Sequence, residues 1–192
     1  MIATALAAML LAAPVEPPRI EAPQIQDSVE YHDIGGSTAA ELSAAMRRLS
    51  YAEPNGDGYF AANTKWRLAW NFQVESPPRE RCRLVSATAT LDVTMSLPRW
   101  QAPRDAPPPL VRRWQTFAAA LRRHEDGHRD IAVESAHEIL DRVSKVSPAA
   151  DCAKLKRSLG RVADATLREY RDKEASYDEA TQHGRAQGAS FP

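Results

Sequence analysis

The chain has 192 residues, of which 43% are hydrophobic and 26% are charged, and these values are typical of a folded domain with one hydrophobic core. Lys and Arg together number 25, as do Asp and Glu, so the formal net charge is zero. No basic stripe with interleaved aromatic residues occurs along the chain. The composition therefore excludes a disordered chain and gives no support for nucleic-acid binding.

Residues 1–13 form an apolar run that is too short to span a bilayer as a helix. Small residues precede Pro14, as at the cleavage site of a secretory signal, although the run contains no Lys or Arg. We expect export to the periplasm or the medium, with no membrane insertion of the mature domain. The alternative is a cytosolic protein with an apolar N-terminus. The proline-rich residues 14–27 are expected to be an extended linker, followed by one domain over residues 28–188 and a tail over residues 189–192.

The domain is predicted to begin with a short strand, Val29 to Ile34, and a helix that ends near Leu49. Thr38 and Glu41 have the spacing of a capping box at the start of this helix. Its buried side chains would be Leu42, Met46 and Leu49. Residues 54–58 have the composition of a turn.

Alternation of apolar and polar residues predicts two strands of a sheet with one buried face. Every second residue from Trp66 to Val74 is apolar. From Val85 to Leu97 every odd position is apolar, and every even position from 86 to 96 is Ser, Thr or Asp. The connection at residues 75–81 contains two prolines and suits a hairpin loop, so we expect antiparallel pairing.

Two long helices are predicted after the sheet. Residues 98–109 contain five prolines and are expected to form an irregular crossing to a helix from Leu110 to about Val146. Ser147 would cap the second helix and Pro148 would be its first residue. The stripe of mainly apolar residues along this second helix comprises Leu155, Leu159, Val162, Thr166 and Tyr170. It predicts that the second helix packs antiparallel on the first. Helical patterning weakens after Lys173.

The pattern His-Glu-x-x-His occurs at residues 124–128, inside the first long helix. Residues four apart share a helix face, so His124 and His128 project together, on the same side as Leu121 and Ile131. Zinc takes imidazole nitrogens as ligands, and Glu125 is placed to act as the general base for a metal-bound water. The alternative is a buried histidine pair that makes ordinary hydrogen bonds.

A catalytic zinc site needs a third protein ligand and keeps one position for water. Helical geometry directs His137, Glu134 and Glu138 away from the two motif histidines. The third ligand is therefore expected from the C-terminal region.

Four C-terminal residues are candidates for the site. His183, which precedes a glycine, is the favoured third ligand, and Asp178 and Glu174 are the alternatives. Tyr177 is a candidate hydrogen-bond donor to the oxyanion of the reaction, and the alternative is a buried structural tyrosine.

The two cysteines, Cys82 and Cys152, lack the C-x-x-C spacing of a redox motif or a zinc ribbon. In an exported protein they are expected to form a disulfide that closes a loop of about 70 residues. The alternative is two buried free thiols.

Several motifs resemble a bacterial family whose members are described as secreted zinc-dependent proteases, grouped under a domain of unknown function. These motifs are residues 36–42, residues 64–70, Cys82, residues 97–100, His-Glu-x-Gly-His at 124–128 and Tyr-Asp-x-x-Thr-x-His-Gly at 177–184. The resemblance covers roughly residues 28–188. It implies that His124 and His128 are metal ligands and that Glu125 is the base, and it favours His183 as the third ligand.

The sequence predicts an α+β, zincin-like fold in which a small antiparallel sheet packs with two long helices. The first functional hypothesis is a zinc endopeptidase that acts on peptides or proteins. The second is an exported binding module with a zinc site closed by four protein ligands, for example with both Asp178 and His183. The third is an exported interaction domain without a metal. The oligomeric state is not predicted.

Overall fold

The computed structural model describes residues 16–49, 51–52 and 59–191. The predicted signal segment, residues 1–13, and the predicted turn at residues 54–58 lie outside this part of the chain. Among the described residues no helix is both long and apolar enough to cross a membrane.

The fold is α+β, with a mixed sheet on one side and two long helices on the other. The strands of the main sheet are β1 (Arg19–Ile20), β2 (Gln24–Ile34), β5 (Asn63–Glu75) and β6 (Arg83–Trp100). β3 (Tyr51–Ala52) and β4 (Tyr59–Phe60) form a separate antiparallel pair. The helices are α1 (Ala39–Leu49), α2 (Pro108–Ser144) and α3 (Cys152–Thr181), followed by a 3₁₀ turn, η1 (Arg185–Gln187).

β5 and β6 pair antiparallel across the predicted hairpin, but β1 and β2 pair with β6 in parallel. The prediction of an antiparallel sheet was therefore wrong for these strands. Alternation in β5 and β6 shows that one face of the sheet is buried, which is typical of antiparallel sheets, but it does not determine the direction of a further strand such as β2. After β2 the chain passes through α1, β3 and β4 before it enters β5, and β6 lies between β5 and β2.

Two strands are longer than predicted: β2 begins earlier and β6 ends later. β2 begins at Gln24 rather than Val29, so part of the proline-rich segment predicted as linker pairs with β6. β6 continues through Pro98 to Trp100, in the segment predicted as an irregular crossing. β5 pairs with β6 only as far as Ser96, and a proline is tolerated where a strand has one partner.

Helix α1 begins with the predicted cap. The N–H of Glu41 donates to Oγ1 of Thr38 at 3.2 Å, and the N–H of Ser37 donates to the Glu41 carboxylate at 2.7 Å. Leu42 and Met46 are buried as predicted, whereas Leu49 is exposed at the last residue of the helix.

The buried face of β6 packs against α2 and α3, which run antiparallel. Arg142 contacts Glu169, whereas His128, earlier in α2, contacts Asp178, later in α3, and this order shows the direction. Helix α3 both begins later and ends later than the sequence predicts. Asp151 caps the helix, since its carboxylate accepts from the N–H of Lys154 at 2.7 Å, and the helix continues to Thr181.

A disulfide joins Cys82 and Cys152, whose Cα atoms are 5.1 Å apart, and confirms the predicted bridge. Cys82 also exchanges two backbone hydrogen bonds with Ala149, both 2.9 Å long. The start of β6 is thus fixed to the start of α3, at the end of the helix pair remote from His124 and His128.

Candidate metal centre

Helix α2 presents His124 and His128 together on its buried side. Their ring centroids are 4.9 Å apart, and the ring planes are nearly perpendicular. His124 is 4% exposed, which is unusual for a polar residue unless its nitrogens are satisfied. Both rings face the last turns of α3, because the two helices run antiparallel at this point.

Both histidines direct Nε2 at one carboxylate oxygen of α3. Oδ1 of Asp178 lies 3.2 Å from Nε2 of His124 and 3.0 Å from Nε2 of His128. His124, His128 and Asp178 form a group that could hold a metal ion, since their ligand atoms all lie within 4.8 Å of one another. Two imidazoles and a carboxylate are a donor set that catalytic zinc accepts.

The other nitrogen of each ring has its own acceptor. Nδ1 of His124 lies 3.1 Å from Oε1 of Gln187. Nδ1 of His128 lies 3.4 Å from Oε1 of Glu174, which also accepts a 2.9 Å hydrogen bond from the indole N–H of Trp66. With Nδ1 as the donor, each Nε2 can offer a lone pair to a metal ion, so the residues present fit such a group.

His183, the predicted third ligand, lies beside this group rather than in it. Its Nδ1 is 3.5 Å from Oδ1 of Asp178, and its ring packs on Phe60 with centroids 4.6 Å apart. His183 has a positive φ of 52°, because the chain turns sharply after α3. Asp178, the alternative third ligand, completes the group in the structure, and metal binding by His183 stays a prediction.

Glu125 is buried at the same place, with 4% of its surface exposed. Oγ1 of Thr64, near the start of β5, donates a 2.7 Å hydrogen bond to its carboxylate. Burial raises the pKa of Glu125, and this effect outweighs the opposing influence of Thr64 and the two histidines. A raised pKa brings a carboxylate closer to the range in which it can accept and return a proton near neutral pH.

The charges of the pair His128 and Asp178 stabilise each other. Burial alone would lower the pKa of His128, but its hydrogen bonds to Asp178 and Glu174 raise it to about 10. Burial alone would raise the pKa of Asp178, but hydrogen bonds from His124 and His128 hold that pKa well below the usual range of a carboxyl group. Asp178 is therefore ionised and available to a cation.

The ring of Tyr177 packs against both histidines, and its hydroxyl group points to the backbone of α2. The ring stacks on His124, with centroids 5.2 Å apart, and meets His128 edge-on. Its hydroxyl donates to the carbonyl oxygen of His124 at 3.2 Å and accepts from Nε2 of Gln187 at 3.1 Å. In the structure Tyr177 thus contacts His124 and Gln187, and its predicted hydrogen bond to an oxyanion stays a prediction.

Residues 29–184 match the family described as "Bacterial protein of unknown function (DUF922)". The chain belongs to this family. No curated protein and no solved structure matches the chain. The matched range of this DUF922 protein includes His124, Glu125, His128 and Asp178, and it ends three residues before Gln187.

A cleft of about 850 Å³ opens onto the group in this DUF922 protein. His124, Glu125, His128 and Asp178 line its centre, and the first residues of β5 line one wall. Apolar side chains form one part of the cleft, namely Met46, Phe60, Phe117, Leu121 and Phe191. A more open cleft of about 610 Å³ adjoins it and shares Thr64, Lys65 and Glu174.

Two residues that contact the site were not predicted as site residues. Thr64 lies at the start of an alternating strand, and Gln187 lies beyond the region where helical patterning fades. Gly127 is a local signal of a close neighbour: a Cβ atom there would lie 2.2 Å from the hydroxyl oxygen of Tyr177. The glycine of the motif therefore makes room for Tyr177.

Proposed function

We propose that this protein is a zinc-dependent endopeptidase. The observation that carries the proposal is the position of Glu125, whose buried carboxylate lines the same cleft as His124, His128 and Asp178. A structural metal site has no need of an additional ionisable group at its side, whereas metal-assisted hydrolysis needs a base there.

In this proposal His124, His128 and Asp178 hold the metal ion. A zinc ion bound there would supply a Lewis acid that lowers the pKa of a water molecule towards about 7 and polarises a carbonyl group. Glu125 takes the proton from the attacking water and returns it to the leaving amine. Thr64 keeps the Glu125 carboxylate in place, through the 2.7 Å hydrogen bond to Oε2.

The cleft suits an extended polypeptide. Its volume of about 850 Å³ is within the range of ligand-binding pockets, and the first residues of β5 form one wall. Both apolar and polar side chains line the cleft, as the varied side chains of a polypeptide require. We also propose export, for which the support is the apolar run at residues 1–13 and the disulfide.

A zinc-binding module without catalytic activity is the second candidate function. It is favoured by His183, whose Nδ1 lies only 3.5 Å from Oδ1 of Asp178. If both residues were ligands, four protein groups would close the site to water.

Metal content and peptidase activity of Glu125→Gln test the proposal. This variant keeps the side-chain shape and removes the base, so zinc content and the melting temperature should stay close to those of the wild type. Activity on an unfolded protein or a peptide library should fall by about 10²–10⁴-fold. Glu179→Gln, an exposed acidic position next to Asp178, is the matched control and should keep full activity.

Two results would contradict the peptidase proposal. Undiminished hydrolysis by Glu125→Gln would assign the activity to another site or to a contaminant. Tight zinc binding by a wild type that hydrolyses no peptide in the library would support the binding module.

A further inference from the structure

The chain that follows α3 folds back across α2 and lies against His124. Gln182, His183 and Gly184 all have positive φ values, of 51°, 52° and 81°, and reverse the direction of the chain. We refer to residues 182–191 as the C-terminal strap. At the far end of the strap, Phe191 packs between Trp114 and Phe117, with ring centroids 5.6 and 5.2 Å from them.

The strap touches His124 at its near end. A Cβ atom at Gly184 would lie 3.0 Å from Cγ of His124, so the backbone of the strap runs directly over the imidazole. Gln187 follows in η1 and points its side-chain amide at the same ring. The strap is thus held at Phe191 by apolar packing and at Gln187 by a polar contact with a metal-binding residue.

Three hydrogen bonds connect Gln187, Tyr177 and His124 in a closed circuit. Oε1 of Gln187 lies 3.1 Å from Nδ1 of His124, and Nε2 of Gln187 donates to the Tyr177 hydroxyl at 3.1 Å. That hydroxyl in turn donates to the carbonyl oxygen of His124 at 3.2 Å. Every donor in the circuit meets an acceptor when the proton of His124 is on Nδ1. The circuit therefore holds the ring of His124 in place and provides an acceptor for a proton on Nδ1, which leaves Nε2 for a metal ion.

The hydroxyl of Thr181 is the other group near Nδ1 of His124, at 3.5 Å. Its proton is directed to the carbonyl oxygen of Tyr177, at 2.7 Å. At 3.5 Å the contact with Nδ1 is at the outer limit of a hydrogen bond, so Gln187 is the stronger acceptor.

We propose that Gln187 is a positioning residue for the metal centre: it holds His124 with Nε2 aimed at the site that Asp178 and His128 share. The inference rests on the metal site of the proposed function and is independent of peptidase activity. Hydrogen-bond partners of metal-binding histidines orient the ring and raise the basicity of the ligand.

Three substitutions of Gln187 separate the hydrogen bond from packing. Gln187→Leu removes the oxygen that faces Nδ1 of His124. Gln187→Asn keeps the amide on a shorter side chain, and Gln187→Glu keeps both the side-chain length and an acceptor oxygen. Gln115→Leu, at an exposed position of α2, is the matched control. Zinc affinity is measured in the full chain by competition with a chelator, and the visible spectrum of the Co²⁺-loaded protein reports the ligand geometry.

We expect Gln187→Leu and Gln187→Asn to bind zinc about 10–100-fold more weakly than the wild type, and their Co²⁺ spectra to change. Gln187→Glu and Gln115→Leu should bind like the wild type. If Gln187→Leu fails to fold, the comparison of Gln187→Asn with Gln187→Glu decides the question. Equal zinc affinity in all four variants would overturn the inference about Gln187 and leave the proposed function intact. Equal weakening of zinc binding in Gln187→Glu and Gln187→Leu would do the same. A wild type that binds no zinc would overturn the proposed function as well.

Discussion

One oxygen atom, Oδ1 of Asp178, has three imidazole nitrogens within 3.5 Å. Those of His128 and His124 lie at 3.0 and 3.2 Å, and that of His183 lies at 3.5 Å. An ionised carboxylate at this position attracts either protonated histidines or a metal cation, and the two compete for the same place. If Asp178 but not His183 is a ligand, the site keeps a position for water. If both are ligands, four protein groups close it.

We predict that Asp178 matters more for metal binding than His183 does. Asp178→Asn removes the anionic ligand, so zinc affinity should fall by more than the roughly 10–100-fold typical of losing a hydrogen-bonding neighbour of a ligand. His183→Ala should weaken binding by no more than that range. Competition titrations with a chelator measure both, and Asp172→Asn, at an exposed position of α3, serves as the control. The reverse order of effects would make His183 the ligand.

At the scale of elements, α2 and α3 contact each other differently along their length. Near the disulfide the contact is apolar and includes Ile139, Val143, Leu155 and Leu159. Towards the C-terminal end of α3 it becomes the histidine and carboxylate cluster, with the Tyr177 ring lying against α2. Gly127 permits this close approach, since any larger residue would overlap the tyrosine hydroxyl.

The two glycines inside long helices should therefore respond in opposite ways to alanine. In Gly127→Ala the new methyl group would lie 2.2 Å from the Tyr177 hydroxyl, so the tyrosine must move and both zinc affinity and melting temperature should fall. Gly160 has nothing within 4 Å of its Cβ position. Gly160→Ala should stabilise the fold by about 0.5–1 kcal/mol, because alanine loses less backbone entropy in a helix. Thermal unfolding measures both variants, and a Gly127→Ala protein as stable as Gly160→Ala would contradict the contact.

At the scale of the whole molecule, the disulfide spans 70 residues and connects the sheet to the helix pair. A loop of that length contributes about 4 kcal/mol to stability in the chain-entropy model. The bond lies beyond the C-terminal end of α2, whereas His124 lies near the middle of that helix, so its effect should fall on stability rather than on the group of His124, His128 and Asp178.

We predict that Cys82→Ser and Cys152→Ser lower the melting temperature by similar amounts, roughly 8–16 °C, and leave zinc stoichiometry unchanged. The double substitution should be no worse than either single one, because each removes the same bond. Differential scanning calorimetry measures the shift, and thiol titration of the unfolded wild type without reductant should find no free thiol. Two reactive thiols in that sample would refute the bridge.

Around the three carboxylates at the centre, Glu125, Glu174 and Asp178, the walls of the two adjoining clefts are mainly basic. Apart from the central carboxylates, the charged residues lining the two adjoining clefts are Arg47, Lys65, Arg67, Arg171 and Arg185 against one acid, Asp92. Opposite charges within about one Debye length attract each other, and salt weakens this attraction. An acidic polypeptide is therefore the better match to the walls of the cleft.

Given peptidase activity, we predict a higher kcat/KM for acidic than for basic peptides of the same length, with a preference that declines as salt is added. Arg171→Glu combined with Arg185→Glu should reduce or reverse the preference without changing zinc content. Arg161→Glu, on the exposed surface of α3 outside both clefts, is the control. A preference that is insensitive to both salt and Arg171→Glu/Arg185→Glu would contradict an electrostatic origin.

The sequence by itself determined the features that depend on neighbouring residues. The i, i+4 spacing of His124 and His128 put them on one face of α2, and alternation of apolar side chains defined β5 and β6. The short connection between these strands fixed their antiparallel pairing. Thr38 and Glu41 marked the start of α1, because a capping box is a local arrangement.

Only the tertiary structure decided how remote segments meet. The direction of β2 and the last turns of α3 had no local signal, since these turns are stabilised by polar contacts with α2 rather than by an apolar stripe. Asp178 lies 50 residues from His128, and Gln187 lies 63 residues from His124. A single polar side chain at such a separation leaves no periodicity in a sequence, because its partner is chosen by the packing of two helices and the turn that follows them.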